Sequence, residues 1–200
     1  MPIEINPIQF QQFSNEAKPE FIAKCFNKET TLSDETKLVI VGTLTPPDTA
    51  YFYCSYLNRI YGYIDEALKA LKKEEDSLKE LKTGLSKYVG KRKTIYLLPK
   101  AQIEKNVIKI KRILSKNHIA FLDVMEKAIR VRVSPYDDDI RHYVLAQNDF
   151  HNIPTNATVI ANSKLAYECA KRLNVNNLNY LSQRCGKKED WIEMIKTALL

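Results

Sequence analysis

The chain is punctuated by short apolar runs, and longer stretches between them carry their apolar residues at helical spacing. In "KLVIVGT" (Lys37 to Thr43) the run is β-branched, brief and closed by Gly42, the pattern of a strand buried on both faces of a parallel sheet. "HIAFLDVM" (His118 to Met125) and "ATVIANS" (Ala157 to Ser163) read as a second and a third such strand, and "LNYL" (Leu178 to Leu181) as a shorter fourth. Ile64, Leu68, Leu71, Leu78, Leu81 and Leu85 mark an amphipathic helix or a pair of helices. Ile103, Val107, Ile110 and Leu114 share one helical face, as do Ala166, Cys169, Ala170 and Leu173. A last helix begins near Lys188, with Trp191, Ile192, Ile195 and Leu199 facing inward. Thr94 to Pro99 fits a strand or an extended loop, with Pro99 unsuited to a central strand. Near the start, Phe21, Ile22, Cys25 and Phe26 repeat as in a short helix.

Alternating strands and helices predict an α/β fold, a three-layer αβα sandwich around a central, mostly parallel four-stranded sheet. The expected organisation is one domain over residues 1–200, residues 1–36 forming a helical cover on a core of 37–200. Ligands of such sheets lie at the carboxyl ends of the strands, so the loops after Gly42, Asp123, Asn162 and Leu181 are expected around one crevice.

Composition narrows the function classes. Neither a secretory leader nor an uncharged run of membrane-spanning length is visible, so the expectation is a soluble, cytoplasmic protein without membrane contact; the oligomeric state is left open, a monomer being favoured. Cys25, Cys54, Cys169 and Cys185 are widely spaced, which argues for thiols rather than a disulfide framework. The surplus of 31 Lys and Arg over 24 Asp and Glu, +7, suits a polyanionic partner, and it also suits simple solubility. Basic residues gather in Lys87 to Lys100 and Lys105 to Lys116, where the alternative is a solvated helix face. The sequence has no phosphate-cradling glycine motif, no zinc-helix motif and no serine elbow, and His118, His142 and His151 lack ligand spacing. Neither a metal nor a cofactor is expected.

The ordered segments carry a resemblance. "VIVGTLTPPDTAYFYCSYLNRIYGYIDEAL" resembles the first motif of the uracil-DNA glycosylase superfamily, above all its mismatch-specific and hypoxanthine-type branches, with Gly42, Thr43, Pro46 and Asn58 matching. "IAFLDVMEKAIRVRVSPYDDDI" is similar to a second segment through Asp123, Val124, Ser134, Asp137 and Ile140, and "QNDFHNI" with "ATVIANSKLAYECAKRL" to a third through Asn148, Asp149, Phe150 and Asn162. The likeness runs in order from about Lys37 to the C-terminus.

The resemblance implies DNA as partner and hydrolysis of the N-glycosidic bond of a flipped deaminated base, uracil or hypoxanthine, by a monofunctional enzyme. Such chemistry needs a wall for the flipped base, an acceptor to position water and a donor for the departing base. Carried over, it names Asn58 as catalytic and Gly42, Thr43, Leu44, Pro46, Tyr53, Tyr61, Asp123 and Asn162 as the substrate pocket, with Tyr51, Phe52 and Tyr56 available to the aromatic wall. Gln183, Arg184, Lys187 and Lys188 would meet DNA.

The chain also departs from the pattern. Leu44 stands where many members carry a catalytic Asn or Asp, Ser55 and Tyr56 replace a histidine and a proline, and "LSQRCGKKEDW" does not reproduce the C-terminal motif. Each residue has a bland reading too: the tyrosines as packing, Asn58 as a helix cap, Asp123 as a loop anchor. The alternative function is a catalytically inactive nucleic-acid-binding module on the same fold.

Overall fold

A computed structural model describes residues 2–19, 22–45, 49–52, 54, 58–73, 76–85, 88–90, 93–95, 98–131, 137–183 and 185–200. In chain order its elements are β1 (Ile3–Glu4), α1 (Pro7–Glu16), β2 (Ile22–Lys24), β3 (Leu38–Gly42), α2 (Ile60–Ala70), α3 (Leu78–Leu81), β4 (Tyr88–Gly90), β5 (Lys93–Ile95), α4 (Lys100–Lys116), β6 (Ile119–Asp123), β7 (Met125–Arg130), β8 (Ile140–Leu145), α5 (Gln147–Phe150), β9 (Thr158–Ala161), α6 (Lys164–Arg172), β10 (Leu178–Tyr180) and α7 (Lys188–Leu199). Short 3-10 turns stand at Asn27–Glu29 and Asp137–Asp139.

The predicted sheet is present. Its order is β10-β9-β3-β6, every pair parallel, with Gly42 level with Asp123 at the ends of β3 and β6. All residues of β3 and β6 are buried, which is why their sequences read as unbroken apolar runs. Successive side chains point to opposite faces. Leu38, Ile40, Ile119, Phe121 and Ile160 pack beneath α2, α4 and α7, where the rings of Tyr63 and Trp191 stack with centroids 5.8 Å apart. Val39, Val41, Ala120, Leu122 and Val159 face the other way, onto Ala166, Cys169 and Ala170 of α6. Helices on both faces make the three-layer αβα sandwich.

A second sheet, order β1-β8-β7-β2, shares the layer of α6. Ala128, Tyr143 and Leu145 point toward the parallel sheet, and Ile129 and Val144 point outward to Ile5 and to Phe10 of α1. This corrects two expectations. The helix read from Phe21 to Phe26 is instead strand β2, antiparallel to β7, with Ala23 turned inward and Ile22 outward in the alternation of a strand. Among the described residues, the segment 1–36 holds one α-helix, α1, and contributes two strands to this sheet as well.

The remaining helices follow their patterns. Ile64 to Leu85 divides into α2 and α3, and Asp65 ties them by accepting from Leu78 N (2.7 Å), Lys79 N (2.9 Å) and Ser77 Oγ (2.9 Å). Burial pushes the Asp65 carboxyl above its ordinary range, against these bonds. β4 and β5 form an antiparallel pair of their own.

Candidate active site

The carboxyl ends of β3, β6, β9 and β10 converge, and backbone bonds fix the loops that leave them. Val124 N donates to Gly42 O (2.8 Å) and Met125 N to Thr43 O (3.0 Å), Asn162 N donates to Val41 O (2.9 Å), and Gln183 N donates to Asn162 O (3.2 Å). Gly42, Thr43, Asp123, Asn162 and Gln183 therefore gather at one edge of the sheet. Pro46, Tyr53 and Arg184 lie outside the described residues, as do Ser55, Tyr56 and Ser134.

Asp123 is wholly buried and held on every side. Oδ1 accepts from Thr45 Oγ1 (3.1 Å) and Oδ2 from Phe26 N (3.3 Å), while Asn27 brackets its peptide, accepting from Asp123 N (2.7 Å) and donating to Asp123 O (2.9 Å). Asn27 Nδ2 also reaches Asp149 Oδ2 (2.6 Å). This is the geometry of a loop anchor.

Thr43, nearly buried at the end of β3, donates its hydroxyl to Asp137 Oδ1 at 2.5 Å. The carboxylate comes from the turn preceding β8, 94 residues away in sequence. Leu44 turns down into the apolar cluster with Val39, Val41 and Ala146 and is 4% exposed. Its contribution is packing.

Asn58 is half-buried and stands just before α2, where its Oδ1 accepts from Ile60 N (3.0 Å) and its backbone carbonyl accepts from Lys82 Nζ. Burial lowers the Lys82 pKa to about 8. Tyr61 is fully buried. Its hydroxyl donates to Phe52 O (2.6 Å) and accepts from Cys54 Sγ (3.4 Å), and its ring meets Phe121 edge-on at 5.5 Å. Tyr51 and Phe52 are core residues too, so the described part of the expected aromatic wall is packing against the sheet. Burial raises the thiol pKa of Cys54 to about 12 and of Cys169 to about 11, which keeps both protonated at neutral pH.

The C-terminal loop is shaped by a close approach. Gly186 N donates to Ser182 O (2.8 Å), and a Cβ on Gly186 would stand 2.4 Å from that oxygen. Only glycine fits there. Gln183 is half-buried, and its Nε2 is buried without a hydrogen-bond partner among the described residues. Lys187 is exposed at the start of α7, whereas Lys188 pairs with Glu66 Oε2 at 2.7 Å.

Two recesses elsewhere have volumes of about 340 and 350 Å³; neither is bordered by Asn58 or Asp123. The first lies beside Asn27, Thr30, Asp149 and Asn152, the second against Ile103, Val107 and Ile108 of α4. Among the described residues no cluster of three or more His, Cys, Asp or Glu side chains is placed to hold a metal, and no helix is long and apolar enough to cross a membrane.

No protein-family model matches the chain, and no curated protein matches it. One solved structure is similar: the solution NMR structure of a Methanosarcina acetivorans protein named "putative Uracil DNA glycosylase", 15% identical, with a TM-score of 0.53 over 88% of this chain and 98% of that one. At that identity the likeness concerns the fold, which the two chains share over nearly their whole lengths.

Proposed function

We propose that the chain is a DNA-glycosylase-like protein that binds DNA and hydrolyses the N-glycosidic bond of a flipped deaminated base, uracil or hypoxanthine. The observation that carries this reading is the shared fold, spanning 88% of this chain, with the structure named "putative Uracil DNA glycosylase". Polar groups of the strand-end loops support it, because such chemistry needs a donor for the base and an acceptor for water. Gln183 Nε2 is a buried donor without a partner among the described residues, suited to a base carbonyl that both uracil and hypoxanthine present. Asn58 is the acceptor for water in this proposal, since an amide oxygen that already takes Ile60 N keeps a second lone pair. The net charge of +7 suits the phosphate backbone.

A second reading, DNA binding without hydrolysis, is favoured by the burial of Leu44 and by Asp123 having both oxygens bound. One experiment separates the two. Labelled oligonucleotides carrying uracil, hypoxanthine or no lesion, single-stranded and paired, are incubated with the wild type and with Asn58→Ala, then treated with alkali. Lesion-dependent breaks that fall in the variant support the glycosylase. Salt-sensitive binding with no breaks supports the binding module, and neither breaks nor binding overturns both.

A further inference from the structure

We infer that Asp137 is the carboxylate that takes the proton from the attacking water, held in place for that task by Thr43. The inference rests on the glycosylase reading above and names the base that this reading lacks. Three other side chains that the sequence singles out are unsuited to the role. Leu44 is apolar and buried, Asp123 is wholly enclosed with an acceptor bond at each oxygen, and Asn58 carries an amide, which orients water without accepting a proton.

Asp137 differs from all three. The turn Asp137–Asp139 sends its acids to different places: Asp139 is buried, Asp138 points to solvent, and Asp137 is half-buried against the end of β3. Its Oδ1 accepts the Thr43 hydroxyl at 2.5 Å, which fixes the plane of the carboxylate. Oδ2 makes no hydrogen bond with any described residue. A carboxylate with one oxygen anchored and the other open to water meets the geometric requirement for a general base.

The step balances with water alone. As the C1′–N bond breaks, its electron pair leaves with the base, water oxygen forms the new bond to C1′, Asp137 Oδ2 receives the water proton, and the departing base is protonated from solvent. Asp137 is thus a catalytic residue and Thr43 a positioning residue.

The test compares wild type, Asp137→Asn and Thr43→Val in single-turnover cleavage of uracil- and hypoxanthine-containing oligonucleotides from pH 4 to 8. DNA affinity and thermal unfolding are measured alongside. Asp137→Asn keeps an oxygen for Thr43 and loses the base, so cleavage is expected to fall about 100-fold, the usual scale for general-base loss, with affinity and unfolding temperature unchanged and the acid limb of the pH profile gone. Thr43→Val is expected to cost about tenfold and to retain the acid limb. Wild-type cleavage by Asp137→Asn overturns the inference and leaves the glycosylase reading standing. A loss of cleavage that tracks a lost fold or lost binding also overturns it, because it assigns Asp137 a structural role. A wild type that cleaves no lesion overturns the glycosylase reading, and this inference with it.

Discussion

Two carboxylates, Asp123 and Asp137, serve the same edge of the parallel sheet, and the fold treats them in opposite ways. Asp123 is the last residue of β6 and has no exposed surface, with bonds from Thr45 and Phe26 that close the N-terminal segment onto the sheet. Asp137 arrives from a turn, touches β3 through one hydroxyl and stays half-exposed. Burying a carboxylate requires that its lone pairs be filled by protein donors, so the buried one becomes architecture. The one with an oxygen left over is the one proposed here for chemistry on a substrate.

The sharpest way to break this contrast is to remove each carboxylate in turn. Asp123→Ala leaves the Thr45 hydroxyl and the Phe26 amide without acceptors and is expected to lower the unfolding free energy by about 3 kcal/mol in denaturant titration, against less than about 1 kcal/mol for Asp137→Ala. Equal losses would erase the distinction. Next in size is the pH dependence of the loop that carries Asn58. Burial lowers the Lys82 pKa from 10.5 to about 8. Between those values the folded protein binds fewer protons than the unfolded chain, so stability should rise with pH across that window. Lys82→Met should flatten the rise, by on the order of 2 kcal/mol at its upper end, when both proteins are melted at pH 7 and pH 10. Asn58→Ala removes the acceptor of Ile60 N at the start of α2 and is expected to cost about 1 kcal/mol in the same titration. The smallest effect concerns two neighbouring lysines. Lys187→Ala should reduce the salt dependence of DNA affinity by about one counterion, while Lys188→Ala, whose amine is paired with Glu66, should leave the slope nearly unchanged.

The parallel sheet was legible because burial on both faces leaves apolar runs that no other element mimics at that length, as in Leu38 to Gly42 and Ile119 to Asp123. The second sheet was hidden for the complementary reason. β7 reads "MEKAIR" and β8 reads "IRHYVL", each mixing charges with apolar residues, and buried Arg130 breaks the alternation. β2 is three residues long, and the apolar residues around it happen to fall at helical spacing. At the site, Gly42, Asp123 and Asn162 were legible because strand ends locate themselves once the strands are known. The contact between Thr43 and Asp137 was not, since nothing local joins residues 94 positions apart. Among the described aromatics, Tyr51, Phe52 and Tyr61 misled for a physical reason: a tyrosine in a loop and a tyrosine in the core look alike in sequence, and the Tyr61 hydroxyl finds its partner in the Phe52 carbonyl.

A single residue, Val124, separates β6 from β7, and its amide and that of Met125 are both bonded to the end of β3. The two sheets are in effect one ribbon with a fixed joint. Lengthening that joint by one residue would turn every side chain of β7 to the opposite face, sending Ala128 outward to where Ile129 now packs and Lys127 into the space that Ala128 now fills. Descendants of this chain are therefore free to change residues along the ribbon far more readily than to change its length, and insertions and deletions should collect outside 119–130.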